Sequence, residues 1–134
     1  MAKMKILLVD NEQDFLELTG SRIRSWGYEV ITASSGDEAL DVIKEKKADA
    51  VVLDYMMPGM DGLATLKEIR KIDDKIPVIM ITAHPDMKSI KGAEGLGVSS
   101  YVPKISAYTD SQEAIKTALV MIARKRDGGK DANE

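Results

Sequence analysis

The amino-acid sequence predicts a doubly wound α/β domain, and three observations carry that reading. Continuous apolar runs recur along the chain, Ile6-Leu7-Leu8-Val9, Ala50-Val51-Val52-Leu53 and Val78-Ile79-Met80-Ile81, and they suit strands buried on both faces of a parallel sheet. Strand-like and helix-like segments alternate five times with short connections, the pattern of helices wound on both faces of a sheet. Each run also ends on a polar residue able to do chemistry: Asp10, Asp54 and Thr82, with Lys104 following Tyr101-Val102-Pro103. In such sheets the ligand site lies beyond the carboxyl ends of the strands. Two carboxylates, a hydroxyl and an ammonium are thus expected at one edge, a set suited to a phosphoryl group and a divalent cation.

The elements follow in order. After the first strand, Phe15, Leu18, Ile23 and Trp26 recur at helical spacing, and Gly27 offers a left-handed stop. Tyr28 to Ala33 alternates as a second strand. Gly36 to Lys47 reads as a helix capped by Ser34 or Ser35, with Ala39, Leu40 and Ile43 inward. The third strand ends at Asp54. A loop containing Pro58-Gly59 and Asp61-Gly62 leads to a helix that Asp61 can cap and that carries Leu63, Leu66 and Ile69. The fourth strand ends at Thr82, and His84-Pro85-Asp86 is a natural helix entry. Gly92 and Gly95 weaken the helix that follows, each costing ~1 kcal/mol relative to Ala. Asp110 and Glu113 then form a capping-box pattern for a last helix carrying Ile115, Leu119 and Ile122. The folded domain is expected over 1–124, and 125–134 reads as a polar, disordered tail.

Composition sets limits. The chain has 134 residues, 44% hydrophobic and 31% charged, with a net charge of −3; this fits one domain with one core and gives the surface no general pull toward nucleic acid. No cysteine is present, so disulfides and thiolate metal sites are excluded and a reducing cytoplasm fits. No apolar stretch is long enough for a membrane span or a signal-peptide core. The single histidine, His84, lacks companions and makes a poor metal site. Met56, Met57 and Met60 suit packing between loop and helix better than a cofactor.

The segments ILLVDNE, VVLDYMMPGMDG, VIMITAH and YVPK occur in the order and at the spacings of the response-regulator receiver domain of two-component signalling, which the chain resembles over about residues 5–124. The resemblance implies the receiver form of the flavodoxin-like fold, five parallel strands in the order 2-1-3-4-5. It implies that Asp54 is the phosphoacceptor, that Lys104 pairs with a phosphoryl oxygen and that Thr82 hydrogen-bonds another. Mg²⁺ or Mn²⁺ would be held by Asp10, Asp54 and the backbone carbonyl of Met56. Thr82 and Tyr101 would form a switch read out on the face of the fourth helix, fifth strand and fifth helix. Glu12, Ala83 and His84 would line the site. The implied partners are a histidine kinase or histidine phosphotransfer protein and a downstream protein target, in a stand-alone cytoplasmic receiver without a DNA-binding domain or membrane segment. Such a chain is a phosphoacceptor and not an enzyme with an external substrate.

Two departures stand out. The usual pair of adjacent acids reads Asp10-Asn11, so Asn11 brings an amide oxygen but no charge to a metal-ligand position, and weaker Mg²⁺ binding with slower phosphorylation is expected. Glu12 offers partial compensation for the lost charge, but is assigned mainly to the start of the first helix, where negative charge is favoured. The proline usual after the lysine is Ile105, and a cis bond there would cost ~3 kcal/mol; the stretch from Ile105 to Thr109 is also longer than usual. Asn11 supports a second reading, a pseudo-receiver adaptor that works without phosphorylation. A third, a small phosphatase of the haloacid dehalogenase type, would use Asp10 as nucleophile and Glu12 as acid-base group, but the chain lacks the Gly-Thr such enzymes tend to show after the nucleophile. A flavin binder would need a phosphate-cradling loop where this chain has an acidic one.

Overall fold

In the computed structural model, residues 3–83, 86–104 and 108–131 are described, the side chains of 108–110 and 127–131 excepted. Strands β1 (Lys5–Val9), β2 (Glu29–Ala33), β3 (Ala50–Asp54), β4 (Val78–Thr82) and β5 (Ser100–Pro103) alternate with helices α1 (Gln13–Ser25), α2 (Gly36–Lys44), α3 (Gly62–Ile72), α4 (Met87–Gly95) and α5 (Tyr108–Asp131). The strands form one sheet in the order β2-β1-β3-β4-β5, and every pairing is parallel. This is the doubly wound architecture expected from the apolar runs.

Strand periodicity of two sorts the runs between two cores. Ile6, Leu8, Val52, Ile79 and Ile81 face α1 and α5, meeting Phe15, Leu16, Ile23, Ile115 and Leu119. Leu7, Val9, Val51, Leu53, Val78 and Met80 face the other way, against Leu40, Ile43, Leu66, Ile69 and Ala93. The strands therefore read as unbroken apolar runs because both faces are covered. Register then sets the site edge: Val9 lies beside Leu53, Asp54 beside Ile81 and Thr82 beside Pro103.

Local signals explain most boundaries. Ser35 caps α2 by accepting from the Glu38 amide, and Asp61 caps α3 by accepting from the Ala64 amide at 2.8 Å; each such cap is worth about 1 kcal/mol. Asp86 and Ser89 form a capping box at the start of α4. Gly27 takes the expected left-handed conformation, with φ of +100°. Arg70 ties α3 to the end of α4: its guanidinium donates to the carbonyls of Leu96, Gly97, Asp73 and Ile76.

Some expectations shift. Leu18 is 42% exposed, whereas Leu16 and Thr19 are buried; the buried stripe of α1 is centred on 15, 16, 19, 20 and 23, and position 18 lies on the far side of the turn. Helix α2 ends at Lys44 instead of Lys47, with Lys46 at a positive φ of 56°. Helix α5 starts at Tyr108, so Asp110 lies inside its first turn and does not precede it. The helix also runs on to Asp131, past the boundary set at 124, and Arg126 pairs with Asp49 at 3.5 Å. His84, the Lys104–Ile105 bond and residues 105–107 of the following connection lie outside the described residues.

Candidate functional site

Asp10 is the first residue after β1 and Asp54 is the last of β3, on neighbouring central strands. Both are buried, Asp10 completely. Each carboxylate is oriented by the backbone just beyond it. Asp10 Oδ1 accepts from the Glu12 amide at 2.8 Å, and Asp54 Oδ1 accepts from the Met56 amide at 3.2 Å. These are the local side-chain-to-backbone bonds that Asp favours at turns. The loop after Asp54 is drawn tight by the Gly62 amide, which donates to the Tyr55 carbonyl at 2.8 Å. A Cβ on Gly62 would lie 2.4 Å from the Asp54 carbonyl oxygen and 2.5 Å from Tyr55 Cα. The glycine foreseen only as a turn residue is thus required by close approach to the backbone of Asp54.

Lys104 follows β5 and reaches back across the sheet edge. Its ammonium donates to Asp10 Oδ2 at 2.9 Å and to Glu12 Oε1 at 2.5 Å, and it lies 4.0 Å from Asp54 Oδ2. The ring of Phe15 lies beneath it, 4.2 Å from nitrogen to centroid, within cation–π range. The Lys104 amide also donates to the Thr82 carbonyl. Thr82 is fully buried at the end of β4, and Ala83 beside it is exposed. Asp10, Asp54, Thr82 and Lys104 are therefore brought to one edge, with Glu12 at its rim. Asn11 and Met56 are exposed at the same edge.

Electrostatics follow from this crowding. Burial and the nearby Asp10 push the Asp54 carboxyl up to about 7, against the pull of Lys104 and the Met56 amide. Burial works to lower the Lys104 pKa, but its bonds to Glu12 and Asp10 outweigh this and the net direction is upward. The ammonium is thus held charged between carboxylates that need a cation.

That same need tests the fit to a divalent metal. Two buried carboxylates, one with its pKa raised by burial and by the other, form an oxygen donor set that suits a hard cation completed by water. Among the described residues no group of three or more acids or histidines is placed to hold a metal.

Tyr101, half-buried on β5, packs against the core facing α2, α3 and α4. Its hydroxyl lies 2.5 Å from Ser89 Oγ, the same hydroxyl that caps α4. Sequence reasoning singled out Tyr101 and read Phe15 as a packed helix position, but missed Ser89; the spacing of Ser89 after Asp86, a capping-box pattern, was the available signal. Glu12 stands at the start of α1 and lines the site, as expected, but its side chain turns to Lys104. It occupies the N-cap position without making a side-chain cap bond.

The parallel sheet with acids on its central strand ends defines a class of α/β protein that works at the carboxyl edge. The chain belongs to the response regulator receiver domain family, which it matches over residues 6–116. It is 40% identical over 118 residues to the "Probable transcriptional regulator ycf27" of Guillardia theta, covering 87% of this chain and 46% of that protein. It is 38% identical over 122 residues to the transcriptional regulatory protein GlrR of Escherichia coli K12, covering 91% and 28%. The chain thus spans less than half the length of these curated relatives. Among solved structures it resembles a response regulator receiver domain from Clostridium thermocellum, with 34% identity, a TM-score of 0.77 and coverage of 92% and 97%. A CheY-like receiver domain from Methanospirillum hungatei gives 25% identity, a TM-score of 0.81 and coverage of 92% and 99%.

Proposed function

We propose that this receiver domain is a phosphoacceptor, with Asp54 as its nucleophile and a histidine kinase or histidine phosphotransfer protein as its donor, acting in the cytoplasm. The carrying observation is the buried Asp54 carboxylate at the end of β3 with the Lys104 ammonium 4.0 Å away and Asp10 on the same ammonium. An Asp54 oxygen forms a new P–O bond while the P–N bond of phosphohistidine breaks, and its electron pair returns to the ring nitrogen. Mg²⁺, when bound by Asp10, Asp54, the Met56 carbonyl and the Asn11 amide oxygen, supplies the positive charge that lets two anionic groups meet. Lys104 moves from carboxylate to phosphoryl oxygen, and Thr82 donates to another. Closure at Thr82 is passed to Tyr101 and so to the face of α4, β5 and α5, where a protein partner reads it.

The test is the intact mass of the protein after incubation with acetyl phosphate and Mg²⁺, beside Asp54→Ala and a chelator control. A single-phosphate adduct that needs both Asp54 and metal is expected. Its absence from a folded protein at high Mg²⁺ would favour the second reading, an adaptor that works without phosphorylation, which the uncharged Asn11 supports. A phosphatase using Asp10 requires turnover of a phosphomonoester that is lost with Asp10 and kept in Asp54→Ala.

A further inference from the structure

The ammonium of Lys104 has three N–H donors and no acceptor. Two are committed, to Asp10 at 2.9 Å and to Glu12 at 2.5 Å, and the face of Phe15 covers a further direction at 4.2 Å. Asp54 lies at 4.0 Å, outside hydrogen-bond distance. A phosphoryl group on Asp54 therefore gains the full benefit of Lys104 only if a present partner lets go. Asp10 has a reason to do so, since its oxygens serve a divalent cation when the site is loaded. Nothing in the reaction removes Glu12.

The chain around Glu12 is built for this contact. Its amide is spent on Asp10 Oδ1 and its carbonyl accepts from the Leu16 amide in the first turn of α1. The side chain makes no cap bond. It folds back over the sheet edge instead, with its carboxylate largely in water and the Lys104 side chain only 15% exposed.

We infer that Glu12 is a positioning residue that acts as a brake: its carboxylate competes with the incoming phosphoryl group for Lys104 and slows phosphorylation of Asp54. The inference rests on the phosphoacceptor reading above. During transfer from acetyl phosphate, Asp54 forms a P–O bond, the bond between phosphorus and acetate breaks, and acetate leaves with the electron pair. Once Asp54 is ionised no further proton transfer is needed, so the contribution of Lys104 is charge and one or two hydrogen bonds. Glu12 also adds a negative charge at the mouth through which an anionic donor must come.

Glu12→Gln keeps the size of the side chain and removes its charge. At saturating Mg²⁺, the time course of the Asp54 adduct from acetyl phosphate, read by intact mass, is expected to be about two- to fivefold faster than wild type, the range of an exposed ion pair. The advantage shrinks at high salt, which screens the pair in wild type. The melting temperature is unchanged, and the Lys104 ammonium protons, followed by NMR in the absence of donor, exchange faster with water in Glu12→Gln. An equal or slower rate in Glu12→Gln while wild type is phosphorylated overturns the brake and leaves the phosphoacceptor reading intact. Unaltered exchange of the ammonium protons also overturns it. No adduct on either folded protein overturns both readings, and an adduct on Glu12→Gln alone supports both.

Discussion

Single residues in this site carry opposite electrostatic demands, and Asp54 shows the consequence most directly. Its carboxyl is raised from the ordinary carboxylate range to about 7, so the native state binds a proton more tightly than the unfolded chain. Stability from this group is present at acid pH and is lost as pH rises from about 4 through about 7, after which it stays level. Asp54→Asn removes the buried charge. It is expected to be more stable than wild type by about 1–2 kcal/mol at pH 8 without metal, with the difference vanishing near pH 4. Thermal melts across that range check both sign and window. Asn11 makes the complementary point. Restoring a carboxylate with Asn11→Asp is expected to tighten Mg²⁺ binding by about tenfold, or ~1.4 kcal/mol, measured by titration calorimetry on the unphosphorylated protein.

Among elements, the loop between β3 and α3 and the helix α4 decide how the site is held. Gly62→Ala forces a Cβ onto the Asp54 and Tyr55 backbone. It is expected to cost about 1–3 kcal/mol in a urea midpoint and to slow the Asp54 adduct, because the displaced atoms carry the nucleophile. Gly92 has a packing reason that helix propensity does not show: a Cβ there would meet Leu63 Cδ2 at 2.9 Å, so the glycine admits a side chain of α3. What was legible follows the same division. Strand runs, strand ends, the caps at Ser35 and Asp61, and the inward faces of α2 and α5 all rest on local patterns, and the structure bears them out. The outward turn of Leu18 and the contact of Glu12 with Lys104 were not legible, because each depends on which way a side chain turns toward a distant element. Lys104 lies far along the chain from Glu12, and no spacing rule joins them. Likewise the continuation of α5 beyond 124 includes Arg126, whose partner Asp49 precedes β3.

At the scale of the whole molecule, a cation held by Asp10 and Asp54, as proposed above, would link binding to folding through the same acids. A cation that binds only the folded state stabilises it by mass action, about 2.7 kcal/mol at a hundredfold excess over Kd. Mg²⁺ is expected to raise the melting temperature by roughly 5–10 °C at such concentrations, with EDTA reversing the shift and Asp10→Ala abolishing it. No helix among the described residues is long and apolar enough to cross a membrane.

The all-parallel pairing described above has a kinetic consequence. Ile6 lies beside Ala50 and Val52 beside Ile79, and no two strands meet through a hairpin. Each pairing waits for distant stretches of chain to find one another, and the entropy of closing those loops is lost before contacts repay it. The acids and the lysine sit on different strand ends, so they have no common precursor in any local segment. Asp10 is brought beside Asp54 only when β1 pairs with β3, and Lys104 joins them only when β5 pairs with β4, so the complete constellation requires these long-range pairings.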